Sequence, residues 1–404
     1  MRAFLVIFFL VPVFHLTAGT VIEASGELPA DGRDEHGDTI GGIGSGLVYD
    51  AGADVFYSLS DRGPGDGALP YRPRWVVLKI AQAGDKLDIA VVRSVILRDE
   101  QGHDMTGQIP DDQAAAVPRM KDGRTCIDPE ALALASDGSL YITDEYGPYL
   151  YQFAADGKMI RRLEMPEAFR PRTAEGSLDF SDHAALVSGR NINQGPEGMC
   201  LMPDGKTAAL IFQSGLIQEG GRESPTTRLI VLDLATGNPT GIFVYPFTPE
   251  VPGMEQPVKI KNLSVNDLTV LSDGRFLVLE RDQYGRDGSS DPKPARYKAV
   301  WVVDTSCATN LRTDQKQAPR AVEKKLLFNL PDLVKDTAGL AAKWESLALV
   351  PPVSGGAVTL IMAADNDFLT PVIHHAGVQY PFPRVRDSVP LQFFKIHAAL
   401  PENP

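Results

Sequence analysis

The stretch PEALALASDGSLYITDEYGPYLYQFAADG, residues 129–157, consists of short apolar runs broken by Asp-Gly turns. Ala131 to Ala135 and Ser139 to Thr143, rich in Leu, Tyr, Ile and Thr, are joined through Ser136-Asp137-Gly138, a strong hairpin signal. Tyr149 to Phe153 and Met159 to Leu163 repeat the pattern around Asp156-Gly157. Four antiparallel strands therefore fit into one unit, and a four-stranded meander of this size is one propeller blade.

The unit recurs. GSGLVYD…FYSLSDRG begins at Gly44, PEGMCLMPDGKTAALIFQSG at Pro196, VNDLTVLSDGRFLVLERDQYG at Val265 and WESLALVPP…LIMAADNDF at Trp344. The period, roughly 65 to 90 residues, belongs to an array of repeated units. Leu229 to Leu232 with Ile242 to Tyr245, and Val300 to Val303 with Lys325 to Phe328, complete the third and fourth copies. In the fifth, Leu391 to Ile396 supplies a third strand, and Thr20 to Ala24 fits the vacant fourth position. The expected fold is an all-β β-propeller of five or six four-stranded blades, closed by an N-terminal strand. A sixth blade would have to lie between Arg98 and Arg124. The Asp residues of the Asp-Gly turns (Asp137, Asp156, Asp204, Asp273) are read as turn formers, because Asp bonds its own backbone there.

Within a meander, the first strand starts and the second ends at the same edge of the blade. This pairs Glu130 with Asp144, Glu197 with Gln213, Asn266 and Asp267 with Glu280, and Glu345 with Asp365. Inner strands line the axis, so these groups are expected to converge on one mouth. Crowded, desolvated carboxylates repel, and a cation relieves that repulsion. The long connections also fall at this edge: Asp61 to Arg74, Arg98 to Cys126, Met165 to Gln194, Gln213 to Thr227, Asp282 to Tyr297 and Asp365 to Pro390. Long ordered loops are where binding surfaces are usually built. The first copy departs from the pattern with Gly44-Ser45-Gly46, and the third ends in Gln213, so the ligand ring is uneven.

Met1-Arg2, the apolar run Ala3 to Leu16 and the small residues Thr17-Ala18-Gly19 read as a secretory signal peptide, too short to span a bilayer. Residues 1–19 are assigned to it and residues 20–404 to one propeller domain. A periplasmic or secreted monomer without membrane insertion is expected. The net charge of -13 over 404 residues becomes -14 without Arg2, a poor match to nucleic acid or to an anionic membrane. Hard cations take oxygen ligands, which makes Ca2+ the expected cofactor. Cys126, Cys200 and Cys307 permit one disulfide, for which Cys126 and Cys200 on adjacent blades are the preferred pair; three reduced thiols are the alternative. His374-His375 lies in the long fifth-blade connection, either as a base or ligand or as an ordinary loop pair.

PEALALASDGSLYITDEYGPYLYQFAADG, SDRGPGDG, PEGMCLMPDGK and NDF resemble the phytase-like propeller family, also described by its esterase-like activity of phytase. The resemblance spans nearly all of the chain after the leader. It implies a propeller related to calcium-dependent phytases, whose acidic mouth holds calcium ions that bind and activate phosphate esters. The combined expectation is an exported calcium-dependent phosphoester hydrolase acting on a small-molecule phosphate ester, with a cation-activated water as nucleophile and a basic optimum. Glu130, Asp144, Glu197, Asp267, Glu280, Glu345 and Asp365 are the expected cation ligands, with Asp61 and Asp367 at the rim. Arg62 and Arg281 would grip phosphate or pair with neighbouring acids, and Glu145 is assigned to the reaction beside the cation. The alternatives are a metal-dependent lactonase or carboxylesterase, for which Asn266, Asn366 and Glu345 would matter most, and a non-catalytic, calcium-stabilised binding propeller.

Overall fold

Each Asp-Gly turn forms as its side chains dictate. The Asp137, Asp156, Asp204 and Asp273 carboxylates accept hydrogen bonds from the N–H two residues on, at 2.8–3.1 Å. The glycine that follows each one takes a left-handed φ, between 63° and 89°. In the computed structural model these hairpins build an almost entirely β chain, whose only helices among the described residues are short 3₁₀ turns. The described residues are 19–112, 115–181, 185–313, 318–354, 356–383, 385 and 387–401. Nearly all of the expected leader lies outside them. No helix among them is long and apolar enough to cross a membrane.

Among the described residues, five four-stranded meanders result. Their inner strands are Ile43–Asp50, Pro129–Leu134, Pro196–Leu201, Leu263–Val270 and Lys343–Ser354. Each inner strand lies against the next, and the fifth lies against the first, so they form a closed ring. In the connection 97–128, the described residues form isolated bridges and no strand. The fifth sheet runs Lys343–Ser354, Ala357–Asp365, Leu391–Ala399 and then Val21–Leu28. The N-terminal strand thus fills the fourth position as expected, extending four residues past Ala24, and its Val21 faces His397 while Leu28 faces Leu391.

The core is a set of apolar layers between consecutive blades. Leu59 and Trp75 meet Ile142 and Tyr151; Leu150 meets Leu210 and Ile230; Leu229 and Tyr245 meet Val278 and Trp301; Val300 meets Leu360 and Met362; and Ile361 and Phe393 meet Phe56 and Val76. Sheets buried on both faces in this way gather many of the buried polar groups toward the ends of the central axis.

One irregularity repeats in every blade. The ladder between first and second strands slips between Ile43 and Gly46, Pro129 and Leu132, Pro196 and Gly198, Val265 and Asp267, and Trp344 and Ser346. These are β-bulges, which turn a side chain out of its alternation. The bulged positions include Glu130, Glu197, Asn266 and Glu345, all at one end of the axis. In the first blade the bulge is Gly44-Ser45, and a Cβ at Gly44 would lie 2.5 Å from the Asp365 backbone nitrogen. Backbone proximity therefore excludes an acid at Gly44.

Candidate metal and anion site

The ladders place a second tier of side chains beside the bulged residues. Asp61, Glu145 and Gln213 donate their backbone N–H to Gly42, Asp128 and Gly195 respectively, while Arg281 pairs with Ser264 and Asp365 with Lys343. The equivalent second-strand positions are thus Asp61, Glu145, Gln213, Arg281 and Asp365. The equivalent positions leading into the first strands are Gly42, Asp128, Gly195, Ser264 and Lys343.

Asp61, Glu145, Gln213, Ser264, Arg281 and Lys343 of these tiers, with the bulged Glu130, Glu197 and Glu345, line a cavity of about 260 Å³, whose wall carries eight acids and four cations. Asp66, Asn193, Arg222, Gln283 and Asp287 reach it from the long connections, which fall at the edge where they were expected. Two sets of carboxylates have oxygens within 4.8 Å of one another: Asp61, Asp365 and Asp367, and Asp128, Glu130 and Glu145. Glu197 accepts hydrogen bonds from Gln213 Nε2 at 2.7 Å and Asn266 Nδ2 at 3.0 Å. Glu345 pairs with Arg281 at 2.6 Å. Arg62 lies 3.3 Å from Asp128 and 3.4 Å from Asp66. Lys343 Nζ pairs with Asp367 and lies 4.0 Å from Glu345.

Of the acids expected at the mouth, Asp61, Glu130, Glu145, Glu197, Glu345, Asp365 and Asp367 are brought together there, and so are Arg62 and Arg281. Three are not, each because the bulge and the strand pleat shift the register by one residue. Asp144 turns away from the cavity and accepts the N–H groups of Asp128, Tyr146 and Gly147, closing its own turn. Asp267 faces down the channel and accepts from the backbone of Leu268 and Leu347, each at 2.8 Å. Glu280 is buried between blades, accepting from Tyr245 at 2.5 Å and Tyr297 at 2.7 Å and pairing with Lys324. Beside these three, Glu145 and Arg281 line the mouth, and the buried Asn266 donates to Glu197 there. Asp128 and Lys343 were not expected; a readable signal existed, since each stands two residues before a bulged Glu.

The remaining polar motifs have structural partners. Asn366 accepts from the Gly42 and Phe368 N–H groups and donates to Val389 O, so its amide fixes the turn behind the mouth. His374 contacts Arg33 at 2.7 Å and His375 lies 3.2 Å from Asp38, clasping the N-terminal segment to the fifth-blade connection. All three cysteines are free thiols, with Cys126 and Cys200 buried and Cys307 exposed, so the preferred pairing does not form. Burial pushes both inner thiols up.

Charge crowding shows in the ionisation of the mouth. Burial, then neighbouring acids, holds Glu130, Glu197, Asp61 and Asp365 well above the usual carboxylate range. Burial also pushes Asp144 up to about 7. Glu345 is the exception: burial opposes its ionisation, yet Lys343 and Arg281 hold its carboxyl below the usual value. A carboxyl raised in the folded state stabilises the fold fully below its unfolded pKa of about 4, and that contribution disappears as pH rises through the folded value. The depressed acids, Glu345 and Asp38, act only as pH falls toward or below about 4. Melting measured in chelator is therefore expected to fall as pH rises from about 5 to about 8. A melting temperature that climbs over that range would contradict the crowding.

The family model described as phytase-like, esterase-like activity of phytase, matches residues 38–368. An uncharacterized secreted protein of Arthroderma benhamiae is 26% identical over 441 residues, covering 85% of this chain and 86% of its own length. Among solved structures, the calcium-binding protein regucalcin of Agrobacterium tumefaciens aligns with a TM-score of 0.35 at 13% identity, covering 94% of this chain and 97% of that one. The allergen Mala s 1 of Malassezia sympodialis aligns with a TM-score of 0.38 at 11% identity, over 91% and 81%.

Proposed function

Because the chain belongs to the phytase-like family, we propose that it is an exported, calcium-dependent phosphoester hydrolase whose site is the acidic mouth. The observation that carries this reading is the meeting, at one cavity, of buried arginines with acids from two oxygen-only ligand sets. The donor set fits a hard cation: it contains carboxylates and amides, no sulfur and no imidazole. Asp128, Glu130 and Glu145, or Asp61, Asp365 and Asp367, are the groups to hold it. When bound, the ion supplies positive charge that polarises a phosphoryl oxygen and draws water into reach.

The chain's own residues do the positioning. Arg62 pairs with Asp128 and Asp66, so its guanidinium stands at the set formed by Asp128, Glu130 and Glu145. Arg281, held against Glu345, sits on the facing wall. Planar guanidinium groups match phosphate oxygens two at a time, which orients an ester in the cavity. The Gly195 N–H donates to Glu145 Oε1 at 2.6 Å, fixing that carboxylate. The raised acids must lose protons to take a divalent ion, so calcium affinity and turnover both increase toward basic pH.

Export is supported by the apolar leader at residues 1–19 and by the secreted relative. The lactonase reading is less favoured, because the Asn366 amide is committed to backbone groups. The test is hydrolysis of phytate and p-nitrophenyl phosphate by the purified protein, with calcium and with chelator. Calcium-dependent turnover on at least one is expected. No phosphate release with calcium present, or release unchanged by chelator, would sink the reading; turnover confined to lactones would favour the alternative.

A further inference from the structure

The acids Asp61, Asp365 and Asp367 come from two different sheets. Asp61 belongs to the first blade, where its N–H donates to Gly42 O at 3.3 Å. Asp365 ends the second strand of the fifth blade, and Asp367 follows it in the turn Asn366-Asp367-Phe368. Like charges carried by separate sheets push those sheets apart unless packing opposes them. Phe368 supplies that packing. Its side chain is fully buried, and its ring lies so close over the entry to the first blade that a Cβ at Gly42 would be 2.3 Å from Phe368 Cε2. A Cβ at Gly41 would be 2.9 Å from Phe368 Cα. The ring also meets Tyr71 edge to face, with centroids 4.7 Å apart at 70°. Tyr71 in turn packs on Gly63, where a Cβ would lie 2.5 Å from its own, and the Gly63 N–H donates to Asp61 Oδ1 at 2.8 Å. Phe368 is thus linked by contacts to Asp61 on two routes, through Gly42 and through Tyr71.

The turn itself is held in a backbone that its residues do not favour. Asp367 and Phe368 both have left-handed φ, 48° and 55°, a conformation that is costly for a residue with a Cβ and rare for a bulky one. Such strain persists where the surroundings over-determine it. Here Asn366 Oδ1 accepts from the Phe368 N–H at 3.1 Å and from the Gly42 N–H at 3.0 Å, so one amide ties the turn to the first blade. The Asp367 N–H, directed by this turn, donates to Asp365 Oδ1 at 2.9 Å, and oxygens of all three acids lie within 4.8 Å of one another. We propose that Phe368 is a positioning residue: seated on Gly41-Gly42, its ring sets the spacing of the fifth and first blades at the mouth and so keeps Asp365 and Asp367 against Asp61. Its effect on turnover rests on the hydrolase reading, whereas its effect on geometry does not.

The experiment compares crystal structures, grown in chelator, and steady-state kinetics of the full chain as wild type, Phe368→Ala and Ile373→Ala. Ile373 is 1% exposed and packs in the same small cluster as Tyr71 and Phe368 but stands outside the turn, so its truncation removes apolar packing alone. In Phe368→Ala the three acids are expected to part beyond the 4.8 Å of wild type. Its kcat on p-nitrophenyl phosphate with calcium should fall about 10- to 100-fold, as when a ligand-orienting partner is lost, with KM changing much less. Ile373→Ala should melt at a lower temperature with kcat and the acid spacing unchanged. Acids still together in a folded Phe368→Ala, acids apart in wild type, an equal loss of kcat in Ile373→Ala, or parted acids with undiminished kcat would each overturn the proposal. Where Phe368→Ala does not fold, Gly41→Ala, which presses a methyl group on Phe368 Cα, decides by the same criteria. Parted acids in Phe368→Ala, when wild type itself releases no phosphate, would end the hydrolase reading and leave the positioning role standing.

Discussion

Glu130→Gln is expected to lower calcium-dependent turnover by roughly 100-fold or more, the upper end of what removing an outer partner of a bound ion costs. Calcium protection against heat should disappear with it. Wild-type protein at about a hundredfold excess of calcium over its Kd gains near 2.7 kcal/mol, and the variant should gain none. Two features of Glu130 make the effect large. It is projected by the second-blade bulge into the acid cluster, and among the described residues no cation or donor already meets it. The amide is close in size, so without calcium the variant should be no less stable than wild type. Its loss of a raised, repelled carboxyl favours the fold at neutral pH. Parallel melting curves with and without calcium check this, and a Glu130→Gln protein that keeps both turnover and calcium protection would remove the mouth from consideration.

Lys298→Met is expected to cost about 3–5 kcal/mol of stability, the usual effect of removing one member of a buried ion pair. Lys298 is fully buried, and its Nζ donates to Asp282 Oδ1 at 2.7 Å, to the carbonyls of Asp282 and Tyr284 at 2.8 Å, and to Ala342 O at 2.6 Å. The last of these bonds joins the fourth blade to the segment entering the fifth. Removing the ammonium leaves a buried carboxylate and three carbonyls with one donor fewer. Coupling the change to Asp282→Asn should recover part of the loss by removing the stranded charge, which a denaturant double-mutant cycle would measure. Equal losses in the single and double variants would show that the pair contributes packing rather than charge balance.

Most of the fold was readable in the sequence because its signals are local. Tyr149 to Phe153 forms a strand with the expected ends, and the Asp-Gly turns do what their side chains require. The fastening of the ring by the N-terminal segment followed from a missing strand. The site was readable to the level of the tier but not of the side chain. Strand alternation has a period of two, so one bulged residue exchanges neighbours: the mouth takes Glu145, Asn266 and Arg281, and Asp144, Asp267 and Glu280 go to turns, channel and blade interface. A bulge at Glu130 or Glu345 has no signature in residue type. Asp128 and Lys343 precede the apolar runs and so carry no strand signal, although their constant offset from the bulged acids marks them once the blades are superimposed.

The pairing of Val21–Leu28 with Leu391–Ala399 has a kinetic consequence. Val21–Leu28 has its main partner far along the chain, so the ring cannot shut until Leu391–Ala399 is available. Until then the fifth sheet lacks its outer members and the interior layer against the first blade is open to water. Sequence separation of this kind slows folding, and the incomplete circle presents bare strand edges to other chains in the meantime.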